Sequence, residues 1–517
     1  MPTITDIPVE VLIDNLLPQI PIRDLLSLAA TNRAFTQLAA DETFWKRKLQ
    51  ADFNFNGNDT ARTSGWKAIY KGLSRPKVFT WGENSHGRLG HGQRGQDVPY
   101  PKELHIPGAR IVSLVAGGMS FHALDSEGNV WVWGTLNGTD FTLSSDGYSE
   151  PGKAAPKPLR LQLSTPTRSI SCGRLHSTTL DAAGHIWTFL SWGRPFRLRS
   201  PLVDCTTPSS TPAQVECGWA FSAALTHSGE VLVWFPFGGV LAPYVTARNT
   251  DMDHEGDKKA QATAEGVVEC YQWEVEHDPR ALPGLPALPE LHGDSSETVL
   301  VKIAAMDKCL IGLTNQGHVL KYGELVSETT VGQGRWEYLP EFSEAARVGA
   351  QPAFADADLT GLRIMHISAN FNTFTAYSTA PVSVVLTGTP ATTPDTAPQI
   401  VPALQNRAVI AVVLGDYHLG ALTAAGTLLT WGAYSRGALG LGDPVDLAIG
   451  APGGFADDVQ LAQARQGRRR ATPDRVEVPC EVRFDWGEKK RHDTFCFAAA
   501  AGGWHTGALV IDLEVRV

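Results

Sequence analysis

The sequence predicts a mainly β chain, a seven-bladed β-propeller closed by its own N- and C-terminal strands and preceded by a small all-α unit. Three observations carry that expectation. Two half-motifs alternate through residues 77–517, each a short apolar strand bounded by a glycine turn. The first half to appear and the last half to appear complete one another. The opening seventy residues show helical spacing instead of strand alternation.

One half-motif is a strand ending in a small residue and glycine, followed by a polar residue or histidine and an apolar strand. It falls near residues 117, 173, 218, 305, 369, 415 and 502. The other is glycine, one residue and an aliphatic, leading into a strand that ends near Trp-Gly. It falls near 81, 134, 193, 235, 322, 387 and 431. AGGMSFHALDSEGNVWVWG (116–134) and LGDYHLGALTAAGTLLTWG (414–432) are full copies, whereas 304–323 and 368–388 lack the glycine and histidine. Segments such as D-S-E-G-N and T-A-A-G-T are tight turns in which glycine supplies positive φ. One such sheet buries too little by itself, so the copies must stack.

The chain opens the series with KVFTWG (77–82), which has no preceding half. It ends with AGGWHTGALVIDL (501–513), whose second half never arrives. Joining the two closes a ring and removes the exposed edges of an open stack. The phrases WGENSHGRLGHG (81–92) and WGAYSRGALGLG (431–442) share their glycine spacing. They are expected at sharp turns between blades, and neither continues with the Lys-Ser/Thr of a phosphate-binding loop. Insertions at 239–300 and 443–495 break the repeat and are expected as long loops on a rigid scaffold.

Residues 1–73 form the helical unit. Pro8 suits the first turn of a helix, Arg23-Asp-Leu-Leu begins a second, Arg33-Ala-Phe a third, and Asp41-Glu-Thr-Phe-Trp a fourth. Val9, Val11, Leu12, Ile13, Leu16, Leu17 and Ile20 cover most of the first helix instead of one stripe. Excess apolar surface on so small a unit predicts a protein partner. The alternative is a helical cap packing on the propeller.

A net charge of −10 argues against a broad nucleic-acid-binding surface. Seven scattered cysteines without a C-x-x-C pair fit reduced thiols in the cytoplasm or nucleus, and no stretch approaches a membrane span. No constellation demands catalysis or a cofactor. His176, His418 and His505 recur at one repeat position, so each is expected to satisfy a turn within its own blade. Cys172 and Cys217 are expected in packing roles. Asp251, Asp253, Glu255 and Asp257 alternate like calcium ligands but lack the rest of an EF-hand, which leaves a solvated acidic loop. Thr472, preceded by Arg468-Arg469-Arg470 and followed by Pro473, is a candidate phosphorylation site.

The two glycine phrases and the G-x-x-H turns at Gly173–His176, Gly415–His418 and Gly502–His505 resemble the regulator-of-chromosome-condensation propellers. Pro8, Glu10-Val-Leu12, Leu16-Leu17, Pro21, Asp24-Leu25, Leu28, Asn32-Arg33, Phe35, Leu38 and Phe44-Trp45-Lys46 resemble an F-box in order and spacing, with Ile7 where leucine is usual. The combination is similar to the fungal SCF-associated factors. That resemblance implies a non-catalytic substrate-recognition subunit of an SCF-type cullin–RING ubiquitin ligase. Pro8, Leu12, Leu16, Leu17, Leu25 and Leu28 would contact the Skp-type adaptor. The propeller would select the substrate, for which the family offers adenine deaminase. The alternatives are a guanine-nucleotide exchange factor for a small GTPase, as some relatives of the propeller are, and a non-catalytic scaffold.

Overall fold

Seven separate sheets account for all the described strands, and the first of them joins the two ends of the propeller. The computed structural model describes residues 7–513 except 93–94, 139–141, 144, 256–258, 292, 294–295, 467–471 and 488–492. In blade 1, Lys77–Gly82 lies between Val98–Leu104 and His505–Asp512, with Thr494–Gly502 innermost. Lys77 stands opposite Val510 and Gly82 opposite His505, so the predicted closure is realised over six residue pairs. Innermost strands of blades 2 to 7 are Ile111–Ala116, Thr167–Cys172, Pro212–Cys217, Leu300–Ala305, His366–Asn370 and Val409–Leu414.

The two glycine phrases do the same work at successive blade junctions. Gly87 at φ +73° and Gly437 at φ +92° are left-handed, where a side chain strains the backbone. An added Cβ would stand 2.6 Å from the Pro156 backbone of blade 2 in the first case and 2.5 Å from the Pro99 backbone of blade 1 in the second. Gly92 then donates its N–H to the Pro156 carbonyl at 2.8 Å, and Gly442 donates to Pro99 at 3.0 Å. Trp81 is fully buried and donates to the Ala438 carbonyl at 2.9 Å, tying blade 1 to the second phrase.

Both insertions are corrected from loops to partly ordered elements. Residues 239–300 begin with a helix, Leu241–His254. They then give Val267–Glu269 as a parallel fifth strand to blade 2, and Trp273–Glu276 as a parallel fifth strand to blade 3. Arg280–Ala281 closes the outer edge of blade 4. The acidic alternation dissolves in the process. Asp251 and Asp253 lie on that helix, Asp253 pairs with Arg194 at 2.6 Å and Glu255 with Arg248 at 2.9 Å. Asp257 lies outside the described residues. The insertion 443–495 supplies a helix, Asp458–Arg465, and the outer strand Val476–Glu481 of blade 7.

Blade 6 has three strands. Its first two strands turn through Phe371 and Asn372, with Asn370 and Thr373 paired where blade 1 pairs Gly502 and His505 across a turn of the same length. The outer edge is satisfied by a backbone bridge from Thr387 to Gln399 and by a side chain: Gln405 accepts from the Val385 N–H at 3.0 Å and donates to its carbonyl at 3.1 Å.

The helical unit runs α1 (Val9–Val11), continued by irregular turns to Gln19, then α2 (Ile22–Ala29) and α3 (Arg33–Leu38). After α4 (Glu42–Phe53), α5 (Trp66–Gly72) leads into blade 1. Asn32 and Asp41 cap α3 and α4 by accepting the N–H groups of Phe35 and Phe44 at 2.9 and 2.8 Å. Leu17, Leu25, Phe44, Trp45, Leu49 and Phe53 form its core, which continues unbroken into Ile111, Val112 and Leu114 of blade 2 and Phe497 and Ile511 of blade 1. The unit is therefore part cap and part projection.

Between α4 and α5 the chain dips into the axial channel. Asn54 donates to the Thr167 carbonyl of blade 3 at 2.9 Å, and Ala61 N–H to the Ile410 carbonyl of blade 7 at 2.6 Å. The Asn58 carbonyl accepts from Lys302 of blade 5 at 2.9 Å and from His366 of blade 6 at 3.1 Å. This plug closes one end of a channel cavity of about 220 Å³. No helix among the described residues is long and apolar enough to cross a membrane.

Candidate functional site

Two surfaces at opposite ends of the propeller axis carry side chains that the fold does not consume. The first is on the helical unit. Val9, Val11, Leu16 and Leu26 are 37–47 % exposed, with Ile7 and Pro8 beside them. Of the six residues expected to meet an adaptor, Pro8 and Leu16 face solvent and Leu28 is half-buried. Leu12, Leu17 and Leu25 are 1–3 % exposed, packed inside the helical unit, and Val9, Val11 and Leu26 stand on its surface.

The second surface is the pole away from the helices, built from the turns between first and second strands. The loops leaving each third strand emerge on the same side. Arg174 of blade 3 reaches across the mouth of the channel to Asp416 of blade 7 at 2.7 Å. Its guanidinium lies 4.9 Å from the Trp219 ring of blade 4 and 5.8 Å from Phe371 of blade 6. Phe371, Tyr417 and Trp504 follow as a row, with centroids 6.2 and 6.5 Å apart, and Arg436 lies 5.9 Å over Trp504. Burial pushes the Asp307 carboxyl at this mouth up to about 6, against the pull of Arg174 and Lys308. Phe237, Val240, Tyr244 and Val326 are exposed around the same pole.

The sequence pattern assigned these residues no role. The available signal was an aromatic side chain in several of the turns, at Trp219, Phe371, Tyr417 and Trp504; Tyr417 is exposed and the other three are half-buried.

The histidines behave differently from the expectation. Each ring bonds to the next blade: His176 Nε2 meets Ser222 Oγ at 2.8 Å, and His418 Nε2 meets Thr506 Oγ1 at 2.9 Å. His505 donates to the Ser120 carbonyl at 3.2 Å. The reading that each serves its own blade is corrected to a stitch between neighbours. The physical reason is room: the His176 and His418 rings cover their own turn glycines, and the far nitrogen then reaches the adjoining strand. His122, outside the repeat position, makes the same stitch to Ser177 at 2.9 Å. Burial lowers His122 and His176 to about 3 and His418 to about 4, and depresses His505 strongly. Among the described residues no group of three or more His, Cys, Asp or Glu side chains gathers to hold a metal ion. Cys172 and Cys217 sit at inner-strand ends with burial raising both thiols, so neither is an activated nucleophile. Thr472 is exposed, between the helix Asp458–Arg465 and blade 7's outer strand; Arg468–Arg470 lie outside the described residues.

Residues 77–124 match the regulator of chromosome condensation (RCC1) repeat. Among curated relatives, the chain is 33 % identical over 170 residues to the probable E3 ubiquitin-protein ligase HERC3 of Homo sapiens, covering 31 % of this chain and 16 % of that protein. It is 26 % identical over 240 residues to the mitochondrial RCC1 domain-containing protein RUG3 of Arabidopsis thaliana, covering 41 % and 53 %. These matches span only part of either relative. The solved structure of Prp20p from Saccharomyces cerevisiae superposes over 85 % of this chain and 92 % of that one, with a TM-score of 0.52 and 16 % identity, a likeness of fold. The chain thus carries the RCC1 repeat, and its seven blades form an RCC1-like propeller.

Proposed function

We propose that this chain is the substrate-recognition subunit of an SCF-type cullin–RING ubiquitin ligase, an F-box unit docking a Skp-type adaptor and a propeller holding the protein to be modified. The observation that carries the reading is the apolar strip of Val9, Val11, Leu16 and Leu26, exposed on helices whose other side is fused to the propeller. The fold makes no use of that strip, and such patches mark protein contacts. Similarity of the propeller region to segments of HERC-type E3 ubiquitin-protein ligases, at low identity, supports a place in ubiquitin transfer. The subunit contributes by positioning, and the bond-making groups belong to its partners. Its setting is the cytoplasm or nucleus, and adenine deaminase is the first substrate to test.

Val9→Asp combined with Leu16→Asp is expected to weaken binding of a purified Skp-type adaptor roughly a hundredfold or more. Both side chains face solvent, so the melting temperature of the free protein should hold. Undiminished adaptor affinity in the double variant would refute the F-box assignment.

A further inference from the structure

We infer that the pole opposite the helices docks an extended segment of a protein partner in which alternate apolar side chains are flanked by acidic ones. The partner is the recruited substrate, a step that rests on the receptor reading above; the docking chemistry stands on geometry alone. The helical unit and its plug occupy the other pole, which leaves this one open.

Spacing selects an extended chain. The rings of Phe371, Tyr417 and Trp504 succeed one another at 6.2 and 6.5 Å. Side chains on one face of a strand repeat at about 6.6 Å, so three alternate apolar residues meet three successive rings. Tyr417 is the most open of the three, at 52 % exposure.

Charge selects the flanks. Arg174 stands at the Phe371 end of the row and Arg436 at the Trp504 end. Their carboxylate partners lie deeper than they do. The Arg436 side chain is 57 % exposed, against 14 % for Glu83 and 31 % for Asp97, and Arg174 is 25 % exposed against 7 % for Asp416. Lys308 extends into solvent with no ion pair among the described residues. Asp307 is a half-buried carboxylate at the mouth, and the exposed Lys308 adjoins it. An approaching chain therefore meets guanidinium and ammonium groups first, on a protein whose net charge is −10. Tryptophan, tyrosine and arginine are also the residue types that dominate binding energy in interfaces.

The test uses full-length protein and three fluorescein-labelled heptapeptides read by anisotropy. D-F-S-L-S-F-D is expected to bind at least tenfold more tightly than K-F-S-L-S-F-K or the respaced D-S-F-F-L-S-D. Tyr417→Ala, Arg436→Glu and the purely surface change Lys308→Glu should each lower that affinity, the first two by tenfold or more, while adaptor binding stays at the wild-type level. Equal affinity for the three peptides, no binding at millimolar peptide, or affinity unmoved by the variants overturns the proposal. Displacement of the acidic peptide by a single-stranded oligonucleotide would replace it with a nucleic-acid reading. Failure of the adaptor experiment leaves the peptide result intact, and the reverse also holds.

Discussion

Acidification from pH 7.5 to pH 4.5 is expected to bring the protein close to unfolding at room temperature. The cause is the set of imidazoles stitched between blades. His122 and His176 are held near 3 and His418 near 4, all by burial, with His505 and His366 depressed as well. An unfolded chain takes up a proton at each of these below about pH 6.5, while the folded chain does not. The unfolded state then binds more protons, so stability falls as pH falls through this window. Each histidine contributes about 1.4 kcal/mol per pH unit, and His122, His176 and His418 together reach about 8 kcal/mol at pH 4.5, comparable with the whole stability of a domain. Glu216 at about 7 and Asp307 at about 6 act in the opposite sense, being protonated in the folded state, but they are two groups against six once His91, lowered to about 4, is included. Thermal melts across this range measure the effect. A flat melting temperature from pH 7.5 to pH 4.5 would remove the argument, as would a combined His122→Gln, His176→Gln and His418→Gln protein with an undiminished pH slope.

Removal of residues 1–73 is expected to leave a propeller that does not remain soluble. The deletion strips Phe44, Trp45, Leu49, Phe53, Phe55, Trp66, Ile69 and Leu73 from a core they share with blades 1 and 2. Each such side chain is worth about 1.5–3 kcal/mol of burial, far more in sum than a domain's margin. It also withdraws the plug whose Asn58 carbonyl receives Lys302 and His366, leaving two buried donors without a partner. Size-exclusion chromatography and a melting curve of residues 74–517 decide the matter. A monomeric protein melting within a few degrees of the full chain would show that the helices are dispensable to the ring. Loss of adaptor binding on deletion is therefore uninformative, and the surface pair Val9 and Leu16 is the better tool.

The repeat was legible because a blade is a local object. Its hairpins, turn glycines and Trp-Gly endings lie close together within each copy, so seven copies and the two complementary ends could be read directly. What escaped depends on contacts between distant segments. The strands at 267–269 and 273–276 add to sheets completed some hundred residues earlier, and nothing in V-V-E or W-E-V-E names its neighbour. The histidine stitches were assigned to the wrong partner because equivalent repeat positions fix where a ring begins, not which strand its far nitrogen meets. The six adaptor candidates mixed buried and exposed positions for a similar reason. On short irregular helices such as Leu12–Leu16, sequence spacing does not separate Leu12, which is buried, from Leu16, which is not. The aromatic row at the open pole was present as single letters in separate blades and became a surface only when the ring closed.

The threaded insertion also constrains how the polypeptide can mature on the ribosome. Blades 2 and 3 lack their outermost strands until residues 267–276 have emerged, after all three inner strands of blade 4. Blade 1 waits longer still, for the last strand of the chain. Nascent protein thus passes through a long stage with several raw sheet edges on display, and chaperone occupancy during translation should peak in that interval and collapse once the final strand docks.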